Sequence, residues 1–320
     1  MSVSQAAGML KQAEDILILT HRRPDGDTTG CAGALCRGLR QIGKTAYVLP
    51  NSEITRRYAP LIDGLYPPES WQPRFVVTTD IADFNLFPDN ALMYQDRVDL
   101  VIDHHRSNPG IGRMNLIRPE AGACAEIVYD VMMALGITFT EGIARCIYVA
   151  ASTDTGCFKY SNTVPHTLRV AAACLETGLD GGEINRELFE VKSWPRFQME
   201  RIIFDTMRFF HDKKIALATL YRKDINRVGA DMDDLDAIAA LPRQIDGVQA
   251  GLTLTENEDG SVKASVRTTK EIDASAICRK CGGGGHLRAG GASFPPDVDM
   301  PQAIQLILQA AEEVYQESRI

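Results

Sequence analysis

Three apolar, strand-like segments of this chain each end on acidic or imidazole side chains. Residues 16–19 run into His-Arg-Arg-Pro-Asp-Gly-Asp at 21–27, residues 74–79 end on Asp80, and residues 98–102 end on Asp103-His104-His105. Helix-like segments alternate with these strands, which predicts an α/β fold with a doubly wound, mainly parallel sheet. Because the carboxyl ends of parallel strands share one edge of a sheet, we expect these side chains to meet there.

The segment 21–30 is predicted to be a strand-to-helix loop that carries one imidazole, His21, and two carboxylates. Only Gly26 separates Asp25 from Asp27, and a glycine there lets the backbone turn sharply so that both carboxylates approach one centre. A cation bound between them would relieve their mutual repulsion. The alternative interpretation is an Asp-rich helix N-cap followed by an ordinary turn.

Further segments complete the first domain. Helices are predicted over 4–14, 31–42, 124–135, 141–151 and 165–178, a strand over 44–49, and a Pro-rich loop over 66–73. Asp154 follows the apolar helix at 141–151 and is the fourth acidic candidate for the site.

The composition changes past Gly182, which predicts a second, smaller α/β domain. Residues 184–211 are helical in pattern and highly charged, with an interruption at Trp194-Pro195. Residues 214–221, 247–255 and 261–267 predict antiparallel strands, with Glu258-Asp259-Gly260 as a hairpin turn and a helix over 231–241. A glycine-rich loop at 282–286, a short strand at 289–294 and a helix over 301–317 follow. The expected domains are 1–183 and 213–320, joined by a helical connector at 184–212.

Composition limits the partners and the compartment. The net charge of -8 argues against binding of long nucleic acid, because such binding needs many Lys and Arg side chains on phosphates. No basic leader and no apolar run of ~20 residues is present, which predicts a cytoplasmic protein without a membrane partner. Eight scattered cysteines predict buried thiols in a reducing compartment. Only Cys278 and Cys281 have metal-like spacing, and no second Cys or His pair follows them to complete a zinc site.

The candidate ligands predict a particular metal chemistry. Carboxylates mixed with imidazole suit a divalent first-row ion such as Mn²⁺ better than Ca²⁺. Four carboxylates, those of Asp25, Asp27, Asp80 and Asp154, nearly balance two dications. Two such ions ~3.5–4 Å apart can activate a water and polarise a phosphoryl oxygen. The residues therefore predict a phosphate-ester hydrolase.

These motifs together resemble the DHH phosphoesterase superfamily, and most closely its nanoRNases and 3'-phosphoadenosine-5'-phosphate (pAp) phosphatases. The resemblance covers nearly the whole chain. It rests on His-x-x-Pro-Asp-Gly-Asp at 21–27, Thr-Asp at 79–80, Asp-His-His-Arg-Ser-Asn at 103–108, Thr-Asp-Thr-Gly at 153–156 and Gly-Gly-Gly-His of a DHH-associated domain at 283–286. It implies an active site in the cleft between the two domains.

The resemblance also implies roles for individual residues. One metal would be held by His21, Asp25 and Asp80, and the other by Asp27, Asp80, His104 and Asp154, so that Asp80 bridges the two. Asp103 would accept a hydrogen bond from a ligating imidazole and fix its tautomer. His105 would contact the scissile phosphate, either stabilising its charge or acting as general acid.

The second domain is expected to bind the substrate. The backbone N–H groups of Gly283, Gly284 and Gly285 could form an anion-binding concavity, to which His286 and Arg267 add charge-assisted bonds. The alternative is a tight turn that needs glycine only for its geometry. The family pattern often continues Ala-Ala-Gly, whereas this chain has Ala289-Gly290-Gly291. Arg288 is interpreted as a solvated surface charge, with contact to a phosphate as the alternative.

The leading hypothesis is an Mn²⁺-dependent nanoRNase exonuclease that cleaves oligonucleotides of about 2–5 nucleotides and also dephosphorylates pAp. The alternatives are a phosphodiesterase for cyclic di-AMP or its linear product and, from another class, an inactive nucleotide-binding regulator. A RecJ-like exonuclease would need a basic channel and further domains, and a family-II inorganic pyrophosphatase lacks this glycine-loop domain. The sequence is compatible with a homodimer.

Overall fold

The computed structural model of the chain describes residues 1–235, 238–269 and 271–318. The chain divides into two compact units, Met1–Val191 and Lys192–Ile320. The expected connector at 184–212 is therefore shared between the units, because its first residues belong to unit 1 and the rest to unit 2. Within the described residues, no helix is both long and apolar enough to cross a membrane.

Unit 1 contains a five-stranded sheet in which all strands are parallel, as the sequence predicted. In chain order the strands are β1 (Ile16–Leu19), β2 (Ala46–Val48), β3 (Phe75–Thr79), β4 (Leu100–Asp103) and β5 (Met114–Ile117), and their spatial order is β2-β1-β3-β4-β5. β1 and β4 are buried throughout, because helices or loops cover both faces of a parallel sheet. β5 was not predicted, because its exposed Met114 and half-buried Asn115 interrupt the apolar pattern.

The helices of unit 1 lie close to their predicted bounds. They are α1 (Val3–Gln12), α2 (Gly26–Gln41), α3 (Cys124–Ala134), α4 (Glu141–Asp154), α5 (Pro165–Leu175) and α6 (Gly181–Asn185), with short 3-10 helices at Ala59–Leu61, Phe84–Leu86 and Asp89–Arg97 and a π-turn at Arg186–Glu190. The start of α2 differs from the prediction, because Asp25 caps the helix and the predicted loop therefore ends there.

Unit 2 contains a six-stranded mixed sheet. The strands are β6 (Arg208–Phe210), β7 (Ile215–Leu220), β8 (Ala250–Glu256), β9 (Val262–Thr268), β10 (Gly284–His286) and β11 (Ala289–Phe294), in the spatial order β10-β11-β9-β8-β7-β6. β8 and β9 pair antiparallel, as predicted. The prediction that β7 and β8 also pair antiparallel is wrong, since they are parallel and the long connection between them carries helices.

The helices of unit 2 are α7 (Trp194–Thr206), α8 (Arg222–Val228), α9 (Met232–Leu235), α10 (Ala274–Lys280) and α11 (Met300–Glu317), with a 3-10 helix at Ile238–Gln244. Trp194-Pro195 begins α7 instead of interrupting a helix, because proline is tolerated in a first turn. The helix predicted over 231–241 is replaced by α9 and the start of the 3-10 helix, and its residues 236 and 237 lie outside the described residues.

Candidate metal centre

The candidate ligands of unit 1 converge from five elements. His21 follows β1, Asp80 follows β3, and His104 follows β4. Asp25 and Asp27 lie at the amino end of α2, and Asp154 is the last residue of α4. The side chains form three groups, each with its ligand atoms within 4.8 Å of one another: His21-Asp25-Asp80, Asp27-His104-Asp154 and Asp80-His104-His105. Each group can hold a metal ion.

The spacings between the ligand atoms suit a cation better than hydrogen bonds. His21 Nε2 lies 3.5 Å from Asp25 Oδ1 and 3.8 Å from Asp80 Oδ2. His104 Nε2 lies 3.4 Å from Asp80 Oδ1, 3.8 Å from Asp154 Oδ2 and 3.9 Å from Asp27 Oδ2. Hydrogen bonds to nitrogen are shorter, whereas ligands bonded at ~2.0–2.2 Å to one ion lie about 3–4 Å apart.

Both candidate ligand imidazoles are oriented by backbone carbonyls. Nδ1 of His21 lies 2.8 Å from the carbonyl oxygen of Arg22, and Nδ1 of His104 lies 3.2 Å from that of Ala121. A carbonyl oxygen can only accept, so these contacts place the proton on Nδ1 and the lone pair on Nε2, which faces the carboxylates. This is the tautomer that a metal ligand needs.

Asp80 fits the position of a shared ligand. It is 3% exposed, its φ is 62°, and its N–H donates to Ile102 of β4. A left-handed backbone at a non-glycine residue costs ~1–3 kcal/mol and is found mainly at functional sites. Within the described part of the chain, its buried Oδ1 has no hydrogen-bond partner. A buried carboxylate oxygen without a donor is expected where a cation takes the donor's place.

Burial and crowding disfavour ionisation of three of the four candidate carboxylates unless positive charge is added, whereas the contact with His21 lowers the pKa of Asp25 despite its burial. Burial raises the pKa of Asp27 and of Asp80 well above the ordinary value, and neighbouring carboxylates raise both further. Burial also raises the pKa of Asp154. Bound dications would reverse this preference and keep the carboxylates ionised.

The comparison with known proteins agrees with this geometry. The DHH family, N-terminal domain, matches residues 15–151, and the DHHA1 domain matches residues 212–317. The bifunctional oligoribonuclease and PAP phosphatase NrnA of Thermus thermophilus is 32% identical, over 96% of this chain and 92% of that protein. This chain belongs to the DHH family. The resemblance predicted from its motifs is thereby confirmed.

Two further relatives extend the comparison. The cyclic-di-AMP phosphodiesterase PdeA of Listeria monocytogenes is 22% identical, over 98% of this chain but 50% of that protein. The crystal structure of an exopolyphosphatase-related protein from Bacteroides fragilis superposes with a TM-score of 0.87 at 22% identity, covering 99% of this chain and 97% of that one. The superposition confirms the fold of this DHH protein.

In this DHH protein, contacts that the sequence did not reveal hold Asp27 in place. Its Oδ2 accepts from the backbone N–H of Cys124 at 2.7 Å, and its Oδ1 accepts from the N–H of Ala125 at 3.0 Å and the thiol of Cys31 at 3.2 Å. Asp27 therefore caps α3, whose own N-cap residue provides no side-chain bond. Because Oδ1 already has two donors, Oδ2 is the oxygen with room for a metal, and it is the one that faces His104.

The sequence predicted that Gly26 allows a sharp backbone turn, but in the structure this glycine has a different role. It is the first residue of α2, and its φ is not positive. A Cβ at this position would lie 2.3 Å from Oγ1 of Thr153, so glycine is needed for the close approach of α2 and α4. That approach brings Asp25 and Asp27 near Asp154. Asn162 also holds Asp154, donating to its Oδ2 at 3.3 Å, and was not predicted.

Asp103 contacts the imidazole of His105, and its expected role of fixing the tautomer of a ligating imidazole stays a prediction. Its Oδ1 lies 2.8 Å from Nδ1 of His105 and accepts from the backbone N–H of His104 at 2.7 Å. Its Oδ2 accepts from Asn108 at 2.6 Å, a contact that the sequence did not predict. Burial raises the pKa of Asp103, but the bonds from His105 and Asn108 outweigh it, so the net pKa is below the ordinary value. The bond to Asp103 raises the pKa of His105.

Asp103→Ala is expected to lower kcat by about 10–100-fold and to leave most of the metal bound, because Asp103 fixes His105 and is not placed as a ligand. Steady-state kinetics and metal analysis by mass spectrometry measure the two effects. Asn108→Ala is expected to give a smaller loss of the same kind, since it removes one donor to Asp103. Loss of all metal from Asp103→Ala would contradict this role.

The residues predicted to bind substrate lie in unit 2. The glycine-rich segment forms β10 and a hairpin with β11, not a loop. A Cβ at Gly283 would lie 2.1 Å from the carbonyl oxygen of Gly291, and Gly285 has φ 140°. The Gly283 N–H donates to the carbonyl of Cys278. Gly283 and Gly285 therefore have a geometric role, and the N–H of Gly283 is already bonded within unit 2. Anion binding by this segment stays a prediction.

Arg288 and the Cys278/Cys281 pair lie in unit 2. The guanidinium of Arg288 donates to the carbonyl oxygens of Thr269 and Ile272. Among the described residues, none of the possible metal-binding groups includes a cysteine. His286 is exposed and Arg267 is partly buried, and their contact with substrate stays a prediction.

Proposed function

We propose that this protein is a metal-dependent phosphoesterase that degrades very short oligoribonucleotides to mononucleotides and removes the 3'-phosphate from pAp. The observation that carries the proposal is the set of two imidazoles and four carboxylates at one sheet edge, with the Asp80 oxygen that lacks a donor. The Thermus thermophilus relative named for both activities aligns with nearly the whole chain. The acidic net charge favours small substrates over long nucleic acid.

The proposed cofactors are two divalent ions, with Mn²⁺ the best match to mixed carboxylate and imidazole ligands. His21, Asp25 and Asp80 would hold one ion, and the second would be held by Asp27, Asp80, His104 and Asp154. The observed groups support this division, since Asp80 lies within 4 Å of both imidazoles. When bound, two such ions activate a water and polarise the phosphoryl oxygens.

His105 is the residue proposed to transfer the proton, and Asp103 holds its imidazole in a fixed orientation. Asp103 accepts from Nδ1 of His105, so Nε2 of His105 is free to approach a phosphate oxygen. From that position His105 can donate a proton to the leaving oxygen or a hydrogen bond to the developing charge. Asn108 and two backbone N–H groups hold Asp103 itself, so the imidazole has one preferred direction.

A substrate panel tests the proposed activity. The protein with Mn²⁺ is incubated in parallel with the dinucleotide pApA, with pAp and with cyclic di-AMP, and products are separated by chromatography. We expect AMP from pApA and from pAp, and little turnover of the cyclic substrate. Turnover of cyclic di-AMP alone would favour the activity for which the Listeria relative is named. Bound nucleotide without any product would favour an inactive regulator.

Arg267→Ala is expected to raise KM for pApA by roughly 10–100-fold with little change in metal content, because a charge-assisted bond contributes ~1.5–3 kcal/mol. Kinetics and metal analysis on the same preparation measure both quantities. Arg279→Ala is the matched control, since Arg279 is an arginine of unit 2 whose guanidinium already bonds to Ser275 and pairs with Asp273 on its own segment. An unchanged KM in Arg267→Ala would remove this residue from the substrate site.

A further inference from the structure

One face of the unit 2 sheet carries a row of residues that lie directly opposite one another on four strands. His286 of β10 pairs with Ala289 of β11, Ala289 with Arg267 of β9, and Arg267 with Gly251 of β8. Directly opposed residues of antiparallel strands point to the same face. Neighbouring strands are ~4.8 Å apart. His286 and Arg267 are separated by one intervening strand, so their backbones lie about two strand spacings apart and their side chains leave the same face.

The adjacent row on the same face has only short side chains. It consists of Gly284, Gly291, Ser265 and Thr253. The residues between these rows point to the opposite face, where Leu252, Val266 and Ala292 belong to the core that includes α10 and α11 residues. The partly exposed surface beside Arg267 is formed by Gly284, Gly291 and Ser265, whose short side chains leave room for a ligand. Thr253 is buried under the 3-10 helix, where its hydroxyl donates to the carbonyl oxygen of Ala239.

Arg243 lies over the end of this row. It belongs to the 3-10 helix Ile238–Gln244, and a Cβ at Gly251 would lie 2.7 Å from its backbone nitrogen and 3.2 Å from its Cβ. Gly251 is thus the residue that lets this helix approach the sheet beside Arg267. Arg243 is exposed, so its guanidinium is free to reach a ligand on the same face.

The charges on this face are not neutralised by the protein. Neither row contains a carboxylate, and within the described residues neither Arg243 nor Arg267 forms an ion pair, since Arg267 donates only to its neighbour's carbonyl. Burial lowers the pKa of Arg267, and the positive charge of Arg243 lowers it further. Two arginines whose charges interact, and which have no ion-pair partner among the described residues, favour an anion of high charge.

We propose that Arg243 acts with Arg267 to bind a terminal phosphomonoester, and that Arg243 thereby makes the protein prefer 5'-phosphorylated dinucleotides over unphosphorylated ones. A monoester carries close to two negative charges at pH 7, whereas an internal diester carries one, so a pair of arginines discriminates between them. This inference rests on the proposed function for its choice of substrate.

Kinetics with two substrates test the proposal. KM and kcat are measured for pApA and for ApA with the Mn²⁺-loaded protein and with Arg243→Ala, Arg243→Gln and Arg279→Ala. We expect wild-type protein to favour pApA, and both Arg243 variants to raise KM for pApA about 10-fold while changing KM for ApA less than 2-fold. The Arg279→Ala control is expected to leave the ratio unchanged.

Calorimetric binding of pApA and ApA to the full chain treated with chelator separates this proposal from the catalytic one, because it needs no turnover. The role of Arg243 is supported if wild-type protein binds pApA more tightly than ApA and Arg243→Ala abolishes this preference. That conclusion holds even if neither dinucleotide is cleaved, and in that case only the proposed function fails. Three results would each overturn the role of Arg243. They are an equal loss of affinity for both dinucleotides in Arg243→Ala, unchanged affinity for pApA in that variant, and equal affinity of wild-type protein for pApA and ApA.

Discussion

Asp80→Asn is expected to abolish hydrolysis, with a loss of at least about 10³-fold, and to deplete the bound metal. Asp80 belongs to two of the three possible metal-binding groups and lies near both candidate ligand imidazoles. An amide has the same size but no charge, so it leaves the dications without their shared carboxylate. Asparagine tolerates the left-handed φ of 62°, so the fold should remain intact.

Metal content by mass spectrometry, activity on pApA and thermal unfolding are measured together for Asp80→Asn. Asp63→Asn serves as control, because Asp63 is exposed and lies outside the metal-binding groups. We expect the control to match wild-type protein in all three measurements. A full complement of metal in Asp80→Asn would show that Asp80 does not bridge two ions.

Gly26→Ala is expected to destabilise the protein by about 1–3 kcal/mol and to lower activity by roughly 10²-fold. The added Cβ would overlap Thr153, whose hydroxyl bonds to the carbonyl oxygens of Val149 and Ala150 and so cannot swing away freely. Relief of the overlap must move α2 away from α4. The carboxylates of Asp25 and Asp27 would then separate from that of Asp154.

Chemical denaturation and kinetics measure the effect, and a second substitution tests its cause. Thr153→Ala combined with Gly26→Ala should recover part of the stability and activity, because it removes the two closest atoms. Gly8→Ala is the matched control in α1, where a Cβ meets nothing within 4 Å, and it should be neutral or stabilising by up to about 1 kcal/mol. Equal losses in Gly8→Ala and Gly26→Ala would contradict the proposed contact.

Four of the five strands of the unit 1 sheet, β1 to β4, could be predicted because they are mostly apolar runs, whereas β5 could not. The bounds of β1 agree with the prediction, and β11 in unit 2 does so as well. The direction of β7 against β8 could not be predicted, since both strands have patterns that suit either pairing. It depends on the connection at 221–249, which carries α8, α9 and the 3-10 helix Ile238–Gln244 among its described residues.

The candidate ligands could be predicted for a related reason, because each follows or ends an apolar element. What holds them in place could not be predicted. Asp27 receives bonds from the amino end of α3, about 97 residues away in sequence, and Gly26 is constrained by Thr153 of α4. Local sequence indicates neither contact, because both depend on how helices that are distant in sequence pack directly against one another. Cys31, four residues after Asp27 on the same helix face, was the one local signal.

A crystal structure of the Mn²⁺-soaked protein, with anomalous diffraction measured at the manganese edge, tests the central claim most directly. We expect two anomalous peaks about 3.5–4 Å apart, one bonded by His21 and Asp25 and the other by Asp27, His104 and Asp154, with Asp80 bonded to both. A single peak, or two peaks of which Asp80 contacts only one, would contradict the dinuclear centre.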